Sequence, residues 1–157
     1  MPNTVFDQIH HWLTEKGVRF AVLQHEPVFT SEQAAQVRGS PLGSGAKALV
    51  VKAGDHFMML VLPADRKLDS KLAQKSLQTK SLRFANRQEL FEMTGLEPGS
   101  VPPFGSLFHL PTILDPALAE HAQINFNAGD HARSISLAYA DYLNVEQPKL
   151  LPLTSTI

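Results

Sequence analysis

Ala46-Lys-Ala-Leu-Val-Val-Lys52 and His56-Phe-Met-Met-Leu-Val-Leu62 stand either side of Ala53-Gly54-Asp55. Two runs rich in β-branched and large apolar residues, separated by a short Gly-containing turn, read as a β-hairpin. Their apolar content is too dense for a strand with one wet face, which predicts strands covered on both sides. The flanking chain must therefore supply the covering layers. Upstream, Val5, Ile9, Trp12 and Leu13 recur at helical spacing and Gly17 stops the run, with Asn3 or Thr4 placed to cap it. Arg19–Gln24 reads as a short strand that His25-Glu26-Pro27 interrupts. Thr30 and Gln33 have capping-box spacing for a helix through Ala34, Ala35 and Val37. Downstream, Asp69 caps a helix to about Leu77, and Asn86 with Glu89 caps another that ends at Gly95. Leu82–Ala85, Ser106–Leu110, Gln123–Phe126 and Ser134–Leu137 read as strands. The tail from Pro148 reads as irregular. Strands and helices mix without strict alternation, which predicts one mixed α/β (α+β) domain over residues 1–157 with a largely antiparallel sheet.

At 157 residues, 43% hydrophobic and 18% charged, the chain is long enough for one core and too apolar for disorder. Fourteen Lys+Arg against fifteen Asp+Glu exclude a polycationic nucleic-acid binder. Cysteine is absent, which excludes disulfides, thiolate metal sites and Cys nucleophiles. Residues 1–20 lack a signal peptide's apolar core, and apolar stretches such as Phe57–Ala64 fall far short of the roughly 20 residues of a membrane span. A soluble, cytoplasmic protein is expected.

Familiar catalytic motifs fail one by one. The Gly-rich segment Gly39–Gly45 leads to Lys47, but Ala46 replaces the Gly that a P-loop needs before its Lys, and Ala48 the following hydroxyl. No G-x-S-x-G elbow occurs. His10 and His11 are adjacent, so a helix points them apart, unlike an i,i+4 ligand pair. Charge is more informative: Arg66, Lys67, Lys71, Lys75, Lys80, Arg83 and Arg87 are seven of the fourteen cations. Lys67, Lys71 and Lys75 recur every four positions, so a helix would align them as a phosphate-neutralising face or as an ordinary solvated one.

Five segments, taken in order, resemble the YbaK/prolyl-tRNA synthetase-associated editing domain family over residues 3–143. They are His25-Glu-Pro-Val-Phe-Thr30, Gly45-Ala-Lys-Ala-Leu-Val-Val-Lys52, Pro63-Ala-Asp-Arg-Lys-Leu-Asp69, Pro98-Gly-Ser-Val-Pro-Pro-Phe-Gly105 and Asn127-Ala-Gly-Asp-His-Ala-Arg-Ser-Ile135. The resemblance implies a curved sheet surrounded by helices and hydrolysis of the ester joining a wrongly attached amino acid to the terminal ribose of tRNA. It implies no metal and no cofactor. Mischarged tRNA is the implied partner, with an aminoacyl-tRNA synthetase as a further candidate and neither DNA nor a membrane involved.

Within that resemblance, Lys47 is the candidate catalytic lysine, since an ammonium beside the ester can orient it and stabilise developing negative charge. Lys52, at the far end of the run, is the alternative. Gly99-Ser-Val-Pro-Pro103 resembles the family's G-x-x-x-P loop, where backbone N–H groups of Gly99, Ser100 and Val101 could hold an oxyanion and prolines fix the path. Phe29, Thr30, Pro102, Pro103 and Phe104 are expected to bound the amino-acid pocket. Gly129, Asp130 and His131 are expected at its mouth, where an imidazole of reference pKa about 6.5 suits proton transfer. Arg66, Lys67, Lys71 and Lys75 are the candidate tRNA contacts. Ala48 and Asn127 depart from residues found in some relatives. Two alternatives remain open: a tRNA- or aminoacyl-binding module without turnover, and a hydrolase of small aminoacyl esters.

Overall fold

The computed structural model describes residues 4–155. Helix α1 (Val5–Glu15) is capped by Thr4, whose Oγ1 accepts from Asp7 N–H at 3.1 Å; Asn3 lies outside the described residues. Strand β1 (Phe20–Gln24) leads to α2 (Ser31–Arg38), which opens on the expected capping box of Thr30 and Gln33 and closes on Gly39 at φ 66°. The hairpin is β2 (Ala46–Ala53) and β3 (His56–Pro63), paired in register from Ala46–Pro63 to Ala53–His56. Then come α3 (Ser70–Leu77), capped by Asp69, β4 (Leu82–Phe84) and α4 (Arg87–Thr94), which has the Asn86–Glu89 capping box. The chain continues through β5 (Thr112–Leu114), β6 (Gln123–Asn127), β7 (Arg133–Ala138), α5 (Tyr139–Glu146) and β8 (Lys149–Leu150).

The mixed α/β class holds, and the strands divide between two sheets. One has the order β4-β2-β3-β5-β8, antiparallel around the hairpin and parallel from β3 to β8. The other is antiparallel, β1-β7-β6, and a bridge between Gly45 and Asn125 joins the two. Both faces of the hairpin are covered, as its composition requires. Ala46, Val50, Met59 and Val61 face the main core with α1, β6, β7 and the ring of Phe104. Val51 and Leu60 face a second cluster with Ala73 of α3 and Leu153.

Two expectations are corrected. Residues 106–110 are not a strand: Gly105–Phe108 form a 3₁₀ turn that His109 ends at φ 59°. Gly105 N–H donates to Thr112 Oγ1 at 2.9 Å, and Thr112 in turn donates to the buried Glu146. That anchor folds the chain back before β5 can begin. The described tail, residues 148–155, is irregular only in part. β8 pairs with β5, Leu153 is fully buried, and Asp115 Oδ2 accepts from Leu153 N–H, Thr154 N–H and Thr154 Oγ1 at 2.8–2.9 Å. Among the described residues no helix is long and apolar enough to cross a membrane.

Candidate active site

Strand β4 pairs only with Val51–Ala53, so the first half of β2 has no second strand beside it. A cavity of about 390 Å³ opens along that free edge, walled by residues 46–49, α2, the 41–45 loop and the 99–101 loop. It brings Phe29, Thr30, Lys47, Gly99 and Val101 together, from segments far apart in the chain. Lys47 is exposed within it, on the face of β2 that it shares with Leu49 and Val51. Lys52 does not line it; its Nζ rests 5.6 Å from the Phe57 ring centroid.

Gly99 takes φ +88°, a left-handed conformation that a side chain would strain, and a Cβ there would lie 3.4 Å from His131 Cε1. Among the described residues no acceptor engages the N–H of Gly99 or Val101. Ser100 is different. Its N–H and its Oγ both donate to Glu97 O, at 3.2 and 2.8 Å, and its carbonyl accepts from Gly129. The expected third oxyanion donor is therefore spent inside the turn. Pro102, Pro103 and Phe104 do not reach the cavity. Phe104 is fully buried, edge-on to Trp12, Phe126 and Tyr142, and Pro103 O accepts from Tyr142 Oη at 2.6 Å.

Phe29 and Thr30 sit where expected, at the cavity wall. Thr30 Oγ1 is committed to capping Gln33 N–H, while Phe29 is 72% exposed and leans on the His131 ring at 4.8 Å. His131 Nδ1 lies 3.1 Å from Val28 O. A carbonyl only accepts, so Nδ1 carries a proton. Asp130 is not available: Oδ1 accepts from Ala132 N–H and Oδ2 pairs with Arg133 at 3.2 Å. A Cβ on Gly129 would meet Val5 at 2.9 Å, so that glycine serves close packing against α1.

The basic segment divides as well. Lys71 and Lys75 lie exposed on α3, but Lys67 precedes the Asp69 cap, so the three do not share one helix face. Arg66 pairs with Glu120 at 3.5 Å, Arg83 with both carboxylate oxygens of Glu89, and Arg87 with Glu97. Arg83 holds the Glu89 carboxyl down to about 2. His11 pairs with Glu15, one helical turn on.

Sequence reasoning missed Arg38. At the end of α2 it looks like an ordinary helix-terminal cation. In the structure it is half-buried in the cavity wall, with Nε donating to Ser134 Oγ at 2.9 Å and Nη2 to Asn127 Oδ1 at 2.8 Å. Among the described residues no carboxylate pairs with it, and burial lowers its pKa to about 10. Ser134 also meets His25 Nε2 at 2.8 Å, and Asn127 Nδ2 donates to Gly99 O at 2.7 Å. A continuous network thus runs from the His25-Glu26-Pro27 segment through Arg38 to the glycine of the 99–101 loop.

The family model for the aminoacyl-tRNA editing domain matches residues 25–145. The multifunctional Ser/Thr-tRNA deacylase ProXp-y of Escherichia coli K12 is 37% identical over 151 residues, covering 92% of this chain and 89% of that protein. The prolyl-tRNA editing protein ProX of Acetoanaerobium sticklandii is 24% identical over 135 residues, 82% of each chain. A crystal structure described as a candidate trans-editing enzyme for prolyl tRNA synthetase superposes with a TM-score of 0.86 at 22% identity, covering 99% of this chain and 100% of the other, a likeness of fold. With the motif-bearing segments converging on one cavity, and a relative this similar along nearly its whole length, the chain belongs to the aminoacyl-tRNA editing domain family.

Proposed function

We propose that this protein is a trans-acting aminoacyl-tRNA deacylase whose hydrolytic site is the cavity along the free edge of β2. The observation that carries the reading is the meeting of Lys47 with Gly99 and Val101 in one recess of about 390 Å³, the size range of small-ligand sites. The aminoacyl end of the tRNA enters that recess. Water adds to the ester carbonyl carbon, and the Gly99 and Val101 N–H groups and the Lys47 ammonium stabilise the oxyanion. The bond from carbonyl carbon to ribose oxygen then breaks, the proton from water passes to the ribose oxygen, and free amino acid leaves. No side chain has to become covalently attached. Positioning of water against the ester, aided by the neighbouring ribose hydroxyl, supplies most of the rate.

Phe29, stacked on the His131 ring behind it, bounds the mouth, and the exposed Lys71 and Lys75 meet the tRNA backbone. Serine-, threonine- and prolyl-tRNA systems are the first substrates to test, since relatives are named for them, and a synthetase that makes the error is the proposed upstream partner. The experiment is a deacylation panel across mischarged tRNAs, run beside Lys47→Ala. Lys47 is exposed, so the variant should melt like the parent while its kcat falls on the order of a hundredfold. Full activity in Lys47→Ala would remove the lysine from the mechanism. Saturable binding of charged tRNA without ester loss in the parent would leave a binding module in place of an enzyme.

A further inference from the structure

The three-stranded sheet has one face that is polar by sequence. Gln-Ile-Asn-Phe-Asn in β6 and Arg-Ser-Ile-Ser-Leu in β7 alternate, which sends Ile124, Phe126, Ile135 and Leu137 into the main core. The opposite face carries cross-strand rows of Ala21, Ser136 and Asn125, and of Leu23, Ser134 and Asn127. On that face Asn125 and Ser134 are buried, Asn125 Nδ2 donating to Ser44 Oγ of the 39–44 loop at 3.0 Å and Ser134 Oγ accepting from Arg38 Nε of α2 at 2.9 Å. Between that loop and the sheet lies a second cavity of about 500 Å³.

Its lining is chemically distinctive. It combines the Arg38 guanidinium, the hydroxyls of Ser40, Ser44, Ser134 and Ser136, the carboxamides of Gln123 and Asn125, and the His121 imidazole, with no acidic residue. Ser40 Oγ itself is buried with no hydrogen-bond partner. Ala21 and Leu23 add an apolar floor. Arg38 and Pro41 also line the first cavity, so the two recesses meet at Arg38. Its Nε and Nη2 are occupied, and Nη1 lies 3.7 Å from where a Cβ on Gly45 would sit, with no protein partner among the described residues. A half-buried cation without a carboxylate, at the junction of two recesses, is suited to a bound anion.

We propose that the second cavity seats the nucleotide preceding the esterified terminal adenosine, with the phosphodiester between the two meeting Arg38. This rests on the deacylase reading, which puts the terminal adenosine in the first cavity. Hydroxyls and carboxamides serve the ribose and the base edge, and Leu23 and His121 its faces, which is how single-stranded RNA ends are held. The arrangement also explains why a deacylase would set an arginine with no carboxylate partner beside its hydrolytic site.

NMR titration of the full chain with adenosine, adenosine 5′-monophosphate and the dinucleotide CpA tests this without requiring turnover, so its outcome is independent of the deacylation panel. CpA should bind at least about tenfold more tightly than adenosine and shift the Gln123, Asn125 and Ser136 amides, with adenosine 5′-monophosphate gaining part of that affinity. Arg38→Met should bring CpA and the monophosphate to the affinity of adenosine. Ala21→Phe, a strand position where a large ring is well tolerated, should remove the CpA gain while keeping that of the monophosphate. If Arg38→Met fails to fold, Ala21→Phe and the milder Arg38→Lys carry the test. Equal affinity for adenosine and CpA in the parent would overturn the proposal. So would unmoved β6 and β7 amides, or an undiminished CpA gain in Ala21→Phe.

Discussion

Asn127 uses both ends of its carboxamide: Oδ1 accepts from Arg38 and Nδ2 donates to the carbonyl of Gly99. That second bond holds the glycine whose φ of +88° aims the 99–101 backbone into the cavity. Asn127→Ala frees the carbonyl, so the 99–101 wall of the cavity loses its orientation while the β2 and α2 walls stay in place. Single-turnover deacylation at saturating charged tRNA should slow about tenfold or more, with KM little changed. Asn127→Asp keeps an acceptor for Arg38 but cannot donate to Gly99, and should be as slow; a parent-like rate in both would reduce the bond to scaffolding. Lys47 was legible in sequence because a cation in an apolar strand needs a reason. Arg38 was not, because an arginine before a helix-ending glycine is ordinary until its surroundings are known.

At the scale of elements, local chemistry predicted local structure well. Thr30, Asp69 and Asn86 each cap the helix they were expected to cap, because a cap is an interaction between residues three apart. Thr30→Ala should cost about 1 kcal/mol in a denaturant melt. The basic segment shows the other side. Arg66, Arg83 and Arg87 are neutralised by Glu120, Glu89 and Glu97, residues on other elements or later in the chain. The cations left for an RNA backbone are the exposed lysines, of which Lys71 and Lys75 share α3. Reversing both, Lys71→Glu with Lys75→Glu, should lower kcat/KM for charged tRNA about tenfold at low salt and flatten its salt dependence. An unchanged salt profile would mark α3 as a solvated face.

The whole molecule depends on its last residues. β8, Leu153 and Thr154 close the second core cluster, and Asp115 gathers three hydrogen bonds from Leu153 and Thr154. Asp115→Ala should cost about 3 kcal/mol in a denaturant melt, and deleting residues 148–157 should cost more, since it also uncovers Val51, Leu60 and Ile113. A truncated chain as stable as the parent would contradict that role for the tail.

The hairpin, the capped helices and the mixed class could all be read along the chain. Each depends on periodicity or on capping and turn chemistry, and those signals act over a few positions. Tertiary structure alone decided which cations keep a free charge and that Ser100 spends its N–H on Glu97. It also buried Phe104 in the core, drew part of the tail into a sheet, and set Arg38 between two cavities with no carboxylate partner. Those outcomes depend on partners distant in the chain, such as Arg38 with Ser134 and Asn127. A sequence records which groups can donate, accept or carry charge, and only the closed fold determines which of them meet.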